Sequence, residues 1–357
     1  MKPFKDLLVV ETAGVLAGPS VGLFFAELGA RVVKVENQRA GGDVTRRWKL
    51  PAEDPASTVS AYFSSVNWGK EHRFLDLRSA EGRTQLDELL RIADVLVTNH
   101  LPGDAQNLGL DRDRLRRLNP TLVHGHVAGF ADRSDRPAFD VVLQAETGYI
   151  SMTGTDPQQL AKLPIALIDV LAAHQLKEGI LLALMRRSSD GRGAFVEVSL
   201  EEAALSGLIN QASNQLMCGH VAVPIGTLHP NIAPYGELFV CQDGGRIILA
   251  VGSDAQFNGL CAVLDLHALA ADERFGSNRD RVVHRAALAG LLAPAIARHQ
   301  RDALLAALRN AQVPAGAVRS IDEVMRSAAA RDMTLSASMD GMMTHRIRGN
   351  AFRISDL

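Results

Sequence analysis

The sequence predicts an α/β protein with two domains, a large one built on a parallel sheet and a smaller α+β one. Strand and helix signals alternate through the first half of the chain, which is typical of a parallel sheet with helices on its faces. Beyond about residue 236 a hairpin signal and closely spaced helices replace this alternation. The chain has 357 residues. A single hydrophobic core rarely supports a chain of this length, so two domains are expected.

The elements of the large domain follow from apolar runs and the residues that interrupt them. The first strand, Leu7–Glu11, leads through a glycine-containing turn into a helix at Pro19–Leu28. Pro19 suits a first helical turn because its missing N–H is no loss there. The other predicted elements are the strands Arg31–Glu36, Ala93–Thr98, Leu122–Gly129 and Phe195–Leu200, and the helices Glu81–Ile92, Leu110–Leu118, Val170–Arg187 and a stretch ending near Leu216.

The smaller domain begins with a hairpin. Strands at Glu237–Cys241 and Arg246–Val251 flank an Asp-Gly turn, which tolerates positive φ. Helical patterns follow at Ala255–Leu264, at Val282–His299 with a kink or break at Pro294, and at Arg301–Ala311. We therefore expect a large domain over residues 1–224, a small one over 225–325, and a C-terminal linker over 326–357 that returns to the large domain.

Composition narrows the classes of partner. Apolar residues make up 47% and charged residues 22%, an ordinary globular mixture. The net charge is −2 without basic or acidic blocks, so nucleic acid and membrane surfaces are not expected partners. No run approaches the roughly 20 apolar residues that cross a bilayer. The start of the chain shows no signal-peptide pattern and the three cysteines lack metal spacing, so we expect a cytoplasmic protein.

Three features of the sequence look at first like known catalytic or binding motifs but do not match them. The turn from Thr12 to Pro19 follows a strand and precedes a helix, but it lacks both the G-x-G-x-x-G spacing and a P-loop lysine. Its backbone amides remain available to line a pocket. His124 and His126 point the same way from one strand without a nearby carboxylate or cysteine, so no metal site is predicted. Ser199 and Ser206 lack the G-x-S-x-G elbow of serine hydrolases.

Asp169 is the single carboxylate in the apolar run from Pro164 to Ala173. A charge in such surroundings costs free energy unless a neighbour stabilises it. One interpretation is a helix N-cap, which accepts hydrogen bonds from the first free amides and contributes about 1 kcal/mol. The other is a nucleophilic carboxylate kept ionised by the same amides. The residues around Asp169 leave both interpretations open.

The order of motifs along nearly the whole chain resembles the class III (CaiB/BaiF-type) coenzyme A transferases. Each motif is short, and their ordered series carries the resemblance. The motifs are Ala17-Gly18-Pro19, the run from Leu28 to Glu36 followed by Gly42-Asp43, Leu75-Asp76-Leu77, the run from Ala93 to Asn99 with Pro102-Gly103, Leu118-Asn119-Pro120, Phe139-Asp140 with Gln144-Ala145 and Gly148, Gly191-Arg192-Gly193, and Pro234-Tyr235-Gly236.

This resemblance implies covalent catalysis by Asp169. The carboxylate attacks the thioester of an acyl-CoA, forming an aspartyl-acyl anhydride and then an enzyme-CoA thioester, and an acceptor acid reverses the sequence. Acyl-CoA and a small carboxylic acid are therefore the expected partners, with the CoA thioester as co-substrate and no permanently bound cofactor. A large Rossmann-like domain and an interlocked homodimer, in which each chain threads through its partner, are also implied.

The family also contains an acyl-CoA racemase, which is the main alternative function. The racemase uses a histidine directly before the aspartate that matches Asp140 to move an α-proton. This chain has Phe139 there, which cannot exchange a proton, so the resemblance favours CoA transfer.

The resemblance also suggests which residues bind the substrates. CoA contacts fall on Val15, Ala17, Arg39, Lys70, Asn99, Phe139 and Asp140. Two arginines of the family pattern are missing, since Glu71 and Leu101 replace them, and Arg39 or Arg73 is expected to compensate. These losses also motivate a third hypothesis, a CoA-binding protein without turnover.

His229 is expected to shape the acceptor pocket, close to Asp169 of the partner subunit. Succinyl-CoA as donor and a short dicarboxylate as acceptor are proposed, because His229 and nearby arginines could hold a second carboxylate.

Overall fold

The computed structural model describes residues 2–355, which fall into two compact units. The first contains the chain up to Met152, Ala161–Ala222 and the residues from Ala329 onward. The second contains Thr153–Leu160 and Val223–Ala328. Each unit has its own hydrophobic core.

The first unit is built on a six-stranded parallel sheet with the order β3-β2-β1-β4-β5-β6. This order defines a doubly wound sheet, in which ligands bind at the carboxyl edge where the strand order reverses, here between β1 and β4. The predicted α/β class is confirmed. The strands are β1 (Leu8–Glu11), β2 (Arg31–Asn37), β3 (Glu71–Leu75), β4 (Val95–Thr98), β5 (Val123–Ala128) and β6 (Ala194–Ser199).

Helices cover both faces of this sheet because its valine-rich strands bury side chains on both sides. The helices are α1 (Ala17–Glu27), α2 (Ala61–Asn67), α3 (Ala80–Ile92), α4 (Pro102–Asn107), α5 (Arg112–Leu118), α6 (Asp140–Glu146), α7 (Leu167–Asp190), α8 (Leu200–Gly207) and α9 (Ile209–Cys218). The long α7 packs on β5 and β6. Gly125 permits this approach, since a Cβ there would lie 2.6 Å from Cδ1 of Ile180.

The second unit holds a three-stranded antiparallel sheet of β7 (Tyr235–Val240), β8 (Arg246–Ala250) and β9 (Ala315–Ala317). The predicted hairpin is confirmed as β7 and β8. The helices of this unit are α10 (Asp254–Val263), α11 (His267–Ala270), α12 (Asn278–Val283), α13 (Arg285–Ile296), α14 (Arg301–Asn310) and α15 (Ile321–Met325). Pro294 lies inside α13, and the predicted helix is interrupted earlier, at His284.

Two elements of local structure were not predicted from the sequence. Residues 71–75 form the edge strand β3, which the sequence pattern missed because its side chains are mostly charged or exposed. The expected C-terminal linker begins instead with α16 (Ala328–Met333), followed by an antiparallel hairpin of β10 (Thr334–Met339) and β11 (Met342–Ile347). Strand β11 packs against α2 in the first unit. Within residues 2–355, every helix is too short or too polar to cross a bilayer.

Candidate functional site

Asp169 is the third residue of α7, in the first turn of that helix, and its residue is only 8% exposed. Of the two interpretations, the N-cap is wrong, because the helix begins at Leu167 and Ala166 occupies the cap position. Within the described chain, the Asp169 carboxylate accepts no hydrogen bond from protein. It is therefore a buried carboxylate that lacks the usual stabilising donors.

Asp140 provides the hydrogen-bond acceptor at this helix start. Its Oδ2 accepts the backbone N–H of Ile168 at 2.7 Å, and its Oδ1 accepts the side-chain amide of Gln144 at 2.5 Å. The Oε1 of Gln144 in turn accepts the N–H of Leu163 at 2.9 Å. Asp140 and Gln144 thus fix the backbone of the segment that precedes Asp169.

Burial raises the pKa of Asp169 to about 7, and the negative charge of Asp140 adds to the effect. Both causes disfavour the ionised form. The group is consequently a carboxylate that titrates near neutral pH. A carboxylate of raised basicity is a stronger nucleophile than an ordinary one, and perturbed titration in a cleft is typical of catalytic groups.

A cavity of about 570 Å³ opens beside this helix start. Its wall includes Leu16, Tyr62, Asp140, Ala166 and Val170. Its other lining side chains are partly basic, with Lys162, His174, Lys177 and Arg346 among them. Burial lowers the pKa of His174, and Arg346 is paired with Glu27, so the two lysines are the groups suited to an anionic ligand.

Tyr62 was missed by sequence reasoning, since the segment around it carries no recognised motif. Burial raises the pKa of its hydroxyl to about 12, with further contributions from Asp169, Asp140 and Asp43. Tyr62 consequently stays protonated at physiological pH and can donate a hydrogen bond into the cavity.

The turn after β1 lies at the switch point of the sheet and contains the predicted residues Val15 and Ala17. Asn99, at the end of β4, holds this turn in both directions: its Oδ1 accepts the N–H of Gly14 at 3.0 Å and its amide donates to the Gly14 carbonyl at 2.9 Å. Val15 has a φ of +69°, a left-handed conformation that costs about 1–3 kcal/mol for such a residue. Asn99 thus acts on the turn rather than facing an open site.

A buried ionic cluster of Glu11, Lys34, Asp43 and Lys70 lies beneath the turn. Lys34 Nζ is 3.0 Å from Glu11 Oε1 and 3.1 Å from Asp43 Oδ2, and Lys70 Nζ is 2.8 Å from Glu11 Oε2. The sequence signal for this cluster is the presence of charged residues, Glu11 and Lys34, in the otherwise apolar runs of β1 and β2. The cluster holds the turn at the switch point, since Lys34 donates to the Ala13 carbonyl and Asp43 accepts the N–H of Val15.

Lys70 was predicted to contact CoA, and the structure gives it another role. Its ammonium group is buried and also donates to Pro19 O and Asn67 Oδ1, at 2.9 and 3.0 Å. Burial lowers the pKa of Lys70 to about 8, even though the Glu11 charge opposes this effect. Lys70 is fully engaged within the cluster, so we do not retain it as a phosphate ligand.

The remaining predicted residues are placed differently. Arg39 is exposed and donates to Asp76 at 2.8 Å, and Phe139 is half-exposed at the N-cap position of α6. Both face solvent and are accessible to a ligand. His229 lies in the second unit, where its ring packs on Tyr235 at 5.1 Å and its Nδ1 accepts the N–H of Asn231 at 3.1 Å.

His124 and His126 form a polar network with Thr98, whose hydroxyl lies 2.9 and 2.8 Å from their rings. Burial lowers the pKa of His124 to about 3, so this ring is neutral at physiological pH. Across residues 2–355, the histidine, cysteine and acidic side chains form no group of three arranged to hold a metal ion.

Fold and site together define the class of protein: a doubly wound α/β protein with a desolvated carboxylate on a helix that borders a cavity. The sequence profile of CoA-transferase family III matches residues 4–356. The chain therefore belongs to that family and is a CoA transferase, as the motif order predicted.

Individual relatives agree with this assignment. The chain is 35% identical over 328 residues to a succinate–glutarate CoA-transferase of Agrobacterium fabrum, covering 90% of this chain and 81% of that protein. It is 32% identical to an acetyl-CoA:oxalate CoA-transferase of Acetobacter aceti, covering 99% and 89%. A crystal structure of a CAIB/BAIF family protein from Brucella suis superposes with a TM-score of 0.85 and 34% identity, covering 99% and 93%.

Proposed function

We propose that this enzyme transfers coenzyme A between two carboxylic acids through covalent intermediates on Asp169. The observation that carries the proposal is the state of Asp169: 8% exposed, with a pKa raised to about 7, on the helix whose residues Ala166 and Val170 line a cavity of about 570 Å³. Such a group is basic enough to attack a thioester and is ionised in a substantial fraction at neutral pH.

The chemistry begins when the Asp169 carboxylate attacks the carbonyl carbon of the donor acyl-CoA. The C–S bond breaks, giving an aspartyl-acyl anhydride and CoA thiolate. The thiolate then attacks the aspartyl carbonyl and releases the donor acid, which leaves an aspartyl-CoA thioester. The acceptor carboxylate attacks this thioester to form a second anhydride, and the returning thiolate takes the acceptor acyl group and frees Asp169.

Each step makes one activated acyl bond as it breaks another, so the exchange needs no ATP. Tyr62 supplies a neutral hydroxyl, whose pKa the charge of Asp169 helps to raise. We infer that it stabilises oxyanion character in the cavity, because a donor held in a low-dielectric site is effective there.

We propose succinyl-CoA as donor and a short dicarboxylic acid as acceptor. The names of the relatives from Agrobacterium fabrum and Acetobacter aceti include dicarboxylic acids, and cationic side chains line the cavity in this chain. Arg and Lys pair favourably with a second carboxylate. We further propose an interlocked homodimer in which His229 contributes to the acceptor pocket, so His229→Ala should raise the KM for the acceptor acid.

Trapping of the intermediate tests the mechanism. The enzyme is incubated with succinyl-CoA alone and then treated with borohydride or hydroxylamine, and peptide mass spectrometry locates the modification. Modification should fall on Asp169 and be absent in Asp169→Asn. In deuterium oxide, an unmodified Asp169 together with deuterium at the α-carbon of an acyl-CoA would instead support racemisation and contradict the proposal.

A panel of acyl-CoA donors against acceptor acids tests the substrates separately. Product acyl-CoAs are identified by mass spectrometry. Reaction with monocarboxylates alone would contradict the dicarboxylate assignment while leaving the covalent mechanism intact.

A further inference from the structure

Val15 adopts a backbone conformation that its side chain opposes. Its φ of +69° lies in the left-handed region, which a β-branched residue rarely occupies. Conformations of this kind persist only where surrounding contacts hold them, and they concentrate at functional sites. A specific contact must therefore stabilise Val15 in the folded protein.

Asp43 provides that contact. Its Oδ2 accepts the N–H of Val15 at 3.2 Å and lies 3.1 Å from the Lys34 ammonium. Its Oδ1 accepts the backbone N–H and the hydroxyl of Thr45 at 3.0 and 2.8 Å. The Asp43 side chain is only 2% exposed. Both carboxylate oxygens therefore have partners within the protein, and neither is free to contact a ligand.

The turn that Asp43 holds leads directly to the site. Leu16 follows Val15 and lines the same cavity as Tyr62 and Asp140, and α1 begins at Ala17. A change in the Val15 backbone would rotate Leu16 and the first residues of α1 relative to that cavity. The geometry of the turn is therefore coupled to the shape of the site.

We propose that Asp43 is a positioning residue for coenzyme A: it holds Val15 in the left-handed conformation and so presents the turn from Val15 to Ala17 to the ligand. Asp43 acts through Val15 and does not touch the substrate. This inference rests on the proposed function, because the acyl-CoA that Asp169 attacks would occupy the cavity that Leu16 of this turn lines.

The first test is the binding of free coenzyme A to Asp43→Asn, measured by calorimetry. An asparagine amide that retains the Thr45 contacts turns N–H donors toward Val15 and Lys34, so Val15 loses its acceptor. We expect the Kd for coenzyme A and the KM for acyl-CoA to rise at least tenfold, with kcat at saturating acyl-CoA changing less than threefold. Binding of coenzyme A requires no turnover, so this readout is independent of whether Asp169 forms covalent intermediates.

A double-mutant cycle with Val15→Gly separates positioning from a general structural role. Glycine adopts positive φ without steric cost, so the Asp43 contact becomes less necessary in that background. Asp43→Asn should therefore weaken coenzyme A binding less than threefold when introduced into Val15→Gly. If Asp43 serves only to neutralise Lys34, the loss will be equally large in both backgrounds, and the proposal is overturned.

Two further variants keep the test decisive. Thr45→Val removes one hydrogen bond from Asp43 Oδ1 without changing the charge, and it replaces Asp43→Asn in the cycle if that variant does not fold. Asp87→Asn is the matched control, since Asp87 pairs with Arg114 at the layer of helices formed by α3 and α5. Wild-type affinity in both Asp43→Asn and Thr45→Val, or equal weakening in Asp87→Asn, would refute the positioning role.

Discussion

Replacement of Asp169 by asparagine should stabilise the protein in a pH-dependent manner. Burial and the Asp140 charge raise the pKa of Asp169 from 3.8 to about 7 in the folded state. Between these values the folded protein holds a proton that the unfolded chain has released. The free energy of unfolding contributed by this group therefore falls as pH rises, and it levels off above pH 7.

The magnitude follows from the shift of about 3 pKa units at roughly 1.36 kcal/mol each, which is about 4 kcal/mol when the group is fully ionised. Below pH 4 both states are protonated and the cost vanishes. The Asp169→Asn variant lacks the ionisation. Its advantage over the wild type should therefore grow by about 2–3 kcal/mol between pH 5 and pH 8.

Urea denaturation followed by circular dichroism, at one protein concentration and across this pH range, measures the difference. Asp113→Asn is the control, because Asp113 is an exposed carboxylate that also lies in a helix's first turn. That variant removes one carboxylate, as Asp169→Asn does. Its free energy of unfolding should differ from that of the wild type by the same amount at every pH. If the difference in free energy of unfolding between Asp169→Asn and the wild type stays constant from pH 5 to pH 8, the raised pKa of Asp169 is refuted.

Three further outcomes are expected. First, kcat/KM for acyl-CoA should fall about tenfold per pH unit below pH 7, since the proposed attack requires ionised Asp169; a flat profile between pH 5 and pH 7 would contradict this. Second, Glu11→Gln should cost about 3–5 kcal/mol in urea unfolding because it leaves two buried ammonium groups without their shared carboxylate. Glu71→Gln, at an exposed pair, should cost less than about 1 kcal/mol, and equal losses would disprove the distinction. Third, Gly22→Ala should lower the melting temperature, because its Cβ would lie 1.9 Å from Glu11 Oε2. Gly290→Ala, with open space around its Cβ, should gain about 0.5–1 kcal/mol. Equal changes in the calorimetric melting temperature for Gly22→Ala and Gly290→Ala would exclude the clash at Gly22.

Much of the fold was predictable because the signals are local. Apolar runs of four to seven residues and the turns between them placed five of the six parallel strands within a few residues of their observed bounds. Strand β3 escaped because an edge strand buries few of its side chains and therefore shows little apolar periodicity. The hairpin of β10 and β11 escaped for the same reason, since most of its residues are not fully buried.

The sequence by itself singled out Asp169, because an isolated carboxylate in an apolar run is visible without a structure. Its surroundings were not visible. Asp140, 29 positions away along the chain, contributes to its raised pKa, and Asp169 in turn contributes to the raised pKa of Tyr62, 107 positions away. Lys70, which looked like a ligand for phosphate, proved to be enclosed by Glu11, 59 positions away.

These differences have one physical origin. Periodicity and turn chemistry act between neighbours, so the sequence alone determined the order of most elements. The ordered series of motifs carried the resemblance to the family, and with it the candidate nucleophile. Desolvation and ion pairing depend on distance in space and on exclusion of water. Only the tertiary structure therefore decided that Asp169 is a buried carboxylate near neutrality, that Lys70 is internal, and that Asp43 supports the turn at Val15.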